Sequence, residues 1–279
     1  MIFARTRQRR EDMRPSGVIT ITTDFGHKGP FAAVMKGVII SRFPEARIID
    51  LAHDIPAQWP PEAGFWVSRS YQYFPRGTVH LAIVDPGVGT ERDILIVEYD
   101  HHYFMAPDNG LLALMLDSAD DAAVFTLAPD ALERLGISAP SMTFHGRDIF
   151  APVAAELAAG RTTPAAIGKA SGGWTPAWLD EPEVTTNRVS GVIVTVDAFG
   201  NLISNIDAKL IEGFSQPVVH IAGHDIEMQA TYGRVRPGEY LALINSFGVL
   251  EIARAESSAA EGLGGDRGAP ITVKDGISS

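Results

Sequence analysis

The chain has 279 residues, 46% of them hydrophobic and 20% charged. Those proportions exclude a chain disordered throughout and supply enough apolar surface for a core without disulfide or metal staples. Lys and Arg number 23 against 34 Asp and Glu, a net charge of −11, with no basic stripe in the body of the chain, so no nucleic-acid partner is expected. Cysteine is absent, which removes thiol nucleophiles and Cys-ligated zinc and fits a reducing compartment. The arginine-rich opening reads as a flexible leader over 1–16, with no apolar stretch of signal-peptide length after it. No later run approaches the ~20 apolar residues of a membrane span, and a soluble, cytoplasmic protein is expected.

From Val18 onward, short β-rich runs alternate with helical ones, the pattern of an α/β domain. VITITT (18–23) reads as a buried strand, TDFGHKGP as a turn, and FAAVMKGVIISRF (31–43) as a helix entered from a favourable proline. RIIDL (47–51) is a strand and AGFWVSRSYQYF (63–74) a helix. TVHLAIVD (78–85) and ILIVEY (94–99) are strands flanking a Gly-rich loop, YFMAP (103–107) leads into Asp108-Asn109-Gly110, and AAVFTL (122–127) is another strand. GRDIFAPVAAELAAG (146–160) is the last strong helix of this half.

Between Ala170 and Ser190 the periodicity lapses into Gly, Pro and acidic residues, the signature of a boundary. We place an α/β N-terminal domain with a central, mostly parallel sheet over 17–175, a linker over 176–189, and a smaller β-rich, barrel-like domain over 190–279. In the latter, GVIVTVD, QPVVHIAG, DIEMQATY, EYLALINS, VLEIAR and APITVK read as strands, with AGHD and NSFG as turns and fraying only after the final strand.

Four segments carry polar chemistry. Asp24 and Asp85 end strand candidates, where α/β sheets bind ligands; the plainer roles are helix and turn caps. Asp85 and Arg92 bracket the loop Asp85-Pro86-Gly87-Val88-Gly89-Thr90-Glu91-Arg92, either clamping a small polar molecule or bracing the loop as an ion pair. His145 directly precedes a helix, whose dipole would keep its imidazole neutral near pH 7. Asp197-Ala198-Phe199-Gly200-Asn201 follows a strand: its aromatic ring and amide suit a purine, and an ordinary Asx turn with a core Phe is the alternative. The remaining histidines lack zinc-ligand spacing, so no metal is expected.

Taken in order, TTDFG (22–26), VDPGVGTER (84–92), APDNGLL (106–112), FHGRDIFAP (144–152), VDAFGNLISNI (196–206) and NSFGVLEIA (245–253) resemble the S-adenosyl-L-methionine (SAM) hydroxide adenosyltransferases, relatives of the fluorinase and chlorinase enzymes. The resemblance implies an enzyme that hydrolyses SAM by attack of water or hydroxide on C5′, releasing adenosine and L-methionine. SAM is then the substrate, and no cofactor is implied. It also implies a homotrimer with its active sites at subunit interfaces. Asp85, Arg92 and His145 match the family's water-handling set. Asp24 matches the acid on the ribose hydroxyls, and Gln58 falls where the halogenases place a tryptophan over the ribose. Phe199 and Asn201 match the adenine stack and edge contact, and Asp197 and Ser246 the contacts to the methionine end. Arg254 and the backbone near Glu256 match the adenine-side strand.

Departures from the halogenases bear on the choice of nucleophile. They carry Arg directly after the Ser246 position, where this chain has Phe247, and an acid where it has Gly29. They have tyrosines at the Asp85 and His145 positions, and the fluorinase insertion is missing between Tyr99 and Tyr103. The last two differences favour water over halide. A SAM-dependent halogenase and a non-catalytic SAM or adenosine sensor stand as the alternative readings.

Overall fold

The computed structural model describes residues 13–276, and the chain divides into two compact units after Trp178. The expected leader lies outside the described residues up to position 12. Its last residues are tied down: the Ser16 amide donates to Gly77 O, and Tyr103 Oη donates to Met13 O.

The first unit is a seven-stranded mixed sheet. Its elements are β1 (Val18–Thr23), α1 (Phe31–Arg42), β2 (Arg47–Ala52), α2 (Pro60–Ser70), β3 (Val79–Ile83), β4 (Ile94–Tyr99), β5 (His102–Pro107), β6 (Ala123–Leu127) and β7 (Gly168–Ala170), with a further helix at Ala151–Ala158. Strand order is β2-β1-β3-β5-β4-β6-β7. The pairings β2–β1, β1–β3 and β3–β5 are parallel, and the other three are antiparallel. The reversal starts at the β4–β5 hairpin: Asp100 and His101, both at positive φ, join the strands in a turn too short for a crossover.

The strands of the sheet centre are buried on both sides because both faces are covered, and they are largely apolar apart from residues such as Thr20, Thr22, His80 and His102. Ile19, Ile21, Leu81, Ile96 and Met105 pack with Met35 and Ile39 of α1 and with Phe150 and Leu157. Ala82, Val84, Leu95, Val97 and Phe104 pack on the other face with Ala63 and Val67 of α2. Helix α2 starts at Pro60, three residues before the periodicity suggests, because Pro60 and Pro61 fit a first turn whose amides have no helical acceptor.

The named strands of the second unit all pair antiparallel: β8 (Glu183–Thr185), β9 (Arg188–Val196), β10 (Leu202–Asp207), β11 (Pro217–Ile221), β12 (His224–Glu227), β13 (Tyr240–Ile244), β14 (Val249–Arg254) and β15 (Pro270–Asp275). The order is β12-β11-β15-β9-β10-β14-β13, with β8 beside β9. A bridge between Met228 and Ala242 brings the two ends of that order together, so the sheet is a nearly closed barrel around Val189, Ile193, Leu202, Val219, Leu250 and Ile252. The tight turn Ala222-Gly223 has both residues at positive φ, as the AGHD motif requires. No helix among the described residues is long and apolar enough to cross a membrane.

Candidate functional site

In the first unit the polar residues gather at one edge of the sheet. Because β5 inserts between β3 and β4, and β4 runs opposite to β3, the loop 84–93 leaves and re-enters the sheet on the same side. Asp85 follows β3 and Arg92 precedes β4, so both stand where parallel strands end. Asn109, just beyond β5, braces this edge: its Nδ2 donates to Val84 O at 2.8 Å, and the Asp108 amide donates to Asp93 O at 3.0 Å.

Arg92 Nε donates to both Asp85 oxygens at 3.0 Å, and its Nη2 makes a short contact to Oδ2. The two side chains are 5% and 10% exposed for Asp85 and Arg92 respectively, so this pair is largely shielded from solvent screening. The guanidinium carbon also stands 5.5 Å over the Phe150 ring. Arg92 Nη2 reaches His145 Nδ1 at 3.2 Å. Three side chains from separate stretches of sequence thus form one contact chain, Asp85–Arg92–His145.

His145 is presented by a local irregularity. It precedes a π-helical turn, Gly146–Phe150, that runs into the Ala151–Ala158 helix. Its imidazole is held below the usual histidine range, first by burial and then by the Arg92 charge, with Asp85 and Asp148 acting in the opposite sense. Desolvation and a neighbouring cation therefore do what the helix dipole was expected to do. An aromatic cluster ties this segment to the end of β1: the Phe25, Phe31 and Phe144 rings lie 5.5 to 6.0 Å apart.

Asp24, next to Phe25, does not cap α1. Its Oδ2 accepts the backbone amide of Gln58 at 3.0 Å. Gln58 is exposed and at positive φ, a strained conformation for a residue with a Cβ. Strain at such a position accompanies functional loops. Trp59 packs edge-on against Trp178 at 6.1 Å.

In the second unit, Asp197 organises the turn after β9. Its Oδ1 accepts the amides of Phe199 and Asn201 at 2.8 and 2.9 Å, and its Oδ2 accepts Asn201 Nδ2 at 3.0 Å. This is the Asx turn considered from sequence, but Phe199 is not a core residue: it is 80% exposed, whereas Asn201 is 8% exposed. Gly200 is required there, since it has φ +80° and a Cβ would meet Ser258 Oγ at 2.2 Å. Ser246 is exposed in the turn between β13 and β14, where Asn245 Oδ1 accepts the Phe247 amide at 3.0 Å. Arg254 Nε donates to Gly238 O at 2.9 Å with its guanidinium over Tyr240, and Glu256 is exposed at positive φ.

Sequence reasoning missed Gly89, the Phe25–Phe31–Phe144 cluster and a buried carboxylate, Glu251. A lone acid in the apolar run VLEIAR was the available signal for the last. Among the described residues no group of three or more His, Cys, Asp or Glu side chains is arranged to hold a metal ion. The first unit's site therefore offers a buried guanidinium–carboxylate pair and an imidazole, a set suited to binding and orienting a small polar molecule and moving its proton.

Two family models match: the SAM hydroxide adenosyltransferase N-terminal domain over residues 19–168 and the corresponding C-terminal domain over 191–272. An (R)-S-adenosyl-L-methionine hydrolase of Thermus thermophilus is 37% identical over 94% of this chain and 100% of its own length. One from Salinispora tropica is 35% identical over 91% of this chain and 98% of its own. A fluorinase of Actinopolyspora mzabensis is 22% identical, over 94% of this chain and 95% of its own. A Thermotoga maritima crystal structure, described as an uncharacterized conserved protein, superposes with a TM-score of 0.84 at 33% identity, covering 92% of this chain and 99% of that one.

Proposed function

The chain belongs to the SAM hydroxide adenosyltransferase family, and on that premise we propose that it hydrolyses SAM at C5′ to adenosine and L-methionine. We extend to it the (R) configuration at sulfur that the names of its hydrolase relatives specify. SAM is the substrate, and the chemistry below calls on no cofactor.

The observation that carries the reading is the Asp85–Arg92–His145 contact chain. The sulfonium already makes methionine a competent leaving group, so the demand falls on the nucleophile. Water must lie in line behind the C5′–S bond, and positioning can supply most of the acceleration. As the O–C5′ bond forms, the C5′–S electron pair passes to sulfur and the water proton is released. Arg92 stabilises the developing hydroxide charge. Asp85 takes up the proton, and His145, whose Nδ1 already accepts from Arg92, orients the water or relays its proton through Nε2–H.

Asp24 and Gln58 are assigned to the ribose side. In the second unit, Phe199 stacks on adenine while Asn201 reads its edge; Arg254 and Glu256 frame the adenine, and Asp197 and Ser246 take the methionine end. Exposure of Phe199 supports that role, because an apolar ring so open to solvent gains by being covered. The proposed assembly is a cytoplasmic homotrimer in which neighbouring copies complete each site.

The test is incubation of purified protein with SAM, with products separated by chromatography and the oligomer measured by light scattering. Equal amounts of adenosine and methionine from a trimer support the reading. A halide-dependent 5′-halo-adenosine product would establish a halogenase, and binding without methionine release a sensor.

A further inference from the structure

Glu251 is 3% exposed. On β14, Leu250 and Ile252 enter the barrel core, while Ala253 on the opposite face packs with Leu241, Leu243 and Val235. Glu251 shares the face of Ala253 by strand alternation. A carboxylate at such a place is expensive unless its lone pairs are satisfied. Both of its bonds come from neutral donors: Tyr232 Oη at 2.7 Å and Asn245 Nδ2 at 3.1 Å. No cation is paired with it among the described residues.

These two bonds have separate consequences. The first restrains the segment around Tyr232, a half-exposed residue whose phenol is pushed up by burial, by Glu251 and by the charge of Asp197. The second orients the Asn245 amide so that Oδ1 faces the Phe247 amide, closing the turn that presents Ser246. The turn assigned to the methionine end is thus held from beneath by a carboxylate with no counter-ion among the described residues.

We propose that Glu251 is a positioning residue for the amino-acid end of SAM, holding the Ser246 turn through Asn245 and giving that face a negative potential suited to the substrate's cationic end. This deepens the SAM reading and rests on it. Glutamine at 251 can still accept from Tyr232, but its NH2 group would face the Asn245 NH2 group. Relief requires either the Asn245 amide to flip, which withdraws Oδ1 from the Phe247 amide, or the glutamine to reverse and donate to Tyr232 Oη; in both cases the charge behind the turn is lost.

The test is steady-state kinetics of Glu251→Gln on SAM, with adenosine as a product inhibitor. The expected result is a KM for SAM raised roughly 10-fold, the scale of one lost buried hydrogen bond, a smaller change in kcat, and an unchanged inhibition constant for adenosine, which lacks the amino-acid end. An unchanged KM overturns the proposal, as does an adenosine constant that rises in parallel, since that marks a general loss of structure. Tyr232→Phe keeps the Asn245 bond and guards against a misfolded Gln variant; its KM rises by less, and an equal or greater rise also overturns the proposal. Wild-type protein that does not turn over SAM overturns the functional reading itself, whereas normal wild-type turnover with an unaffected variant overturns only the role of Glu251.

Discussion

Arg92 Nη2 stands 3.2 Å from His145 Nδ1, and because a guanidinium has no acceptor to offer, Nδ1 takes that bond as the acceptor. The proton of the neutral imidazole therefore sits on Nε2. Protonating the ring would set an imidazolium against a largely buried cation. Burial and Arg92 hold the ring below its ordinary 6.5, so it is neutral at pH 7 and charges only under more acid conditions. The acid limb of the kcat profile should accordingly have its midpoint below 6.5. A midpoint above that value in a pH series would refute a His145 held neutral by burial and Arg92.

Removing the imidazole leaves the fold and the substrate contacts of the other residues in place. His145→Ala should lower turnover roughly 10² to 10⁴-fold, the usual span for a group that handles a proton, while SAM binding measured by calorimetry largely survives. Asp85→Ala would strand a buried guanidinium at a cost of about 3 to 5 kcal/mol; Asp85→Asn is the cleaner probe and should fall in the same range of rate loss. Full turnover by either variant removes that residue from the mechanism.

Gly89 couples the two halves of the contact chain without contributing a functional group. It has φ +79°, and a Cβ would lie 2.2 Å from Met142 O, three residues before His145. Gly89→Ala must push the Arg92 loop away from the segment that carries the imidazole. Turnover should drop at least 10-fold, since a displacement of about 1 Å can cost 10²-fold in a positioned reaction. Unaltered kinetics in a folded variant would show that the loop does not set the geometry.

A second pair of histidines governs acid stability rather than chemistry. His80 Nδ1 bonds Thr20 Oγ1 at 2.9 Å and its Nε2 meets His102 Nδ1 at 3.0 Å, both rings buried. Burial lowers His80 to about 3 and lowers His102 as well. The unfolded chain then binds more protons than the folded one below 6.5, so stability is full above that value and declines as pH falls toward 3. Thermal unfolding should show a midpoint dropping steeply from pH 6.5 to 4, with a shallower slope for His80→Asn. Identical slopes would assign the acid sensitivity to other groups.

Elements and order were legible in the sequence because buried strands, proline-entered helices and Gly-marked turns each leave a local pattern, as at Val18–Thr23, Phe31–Arg42 and Ala222-Gly223. The polar segments were legible too, but not what joined them. No spacing rule tells that Arg92 will lie between Asp85 and His145, because that depends on β5 inserting between β3 and β4. The cause of the His145 shift was misjudged for the same reason: the dipole is a local inference, whereas burial and the Arg92 charge are tertiary. Asp24 had a helix cap as the plainer alternative to a ligand role, yet its partner is the amide of Gln58, 34 positions away. Glu251 was hidden by the converse problem, a strand whose pattern is satisfied by its apolar neighbours.

The most direct measurement is the fate of the oxygen. Protein incubated with SAM in heavy-oxygen water should yield adenosine labelled at its 5′ oxygen together with unlabelled methionine, as displacement at C5′ by a solvent molecule held near Arg92 and His145 requires. Unlabelled adenosine, or label recovered in the methionine fragment, would contradict it.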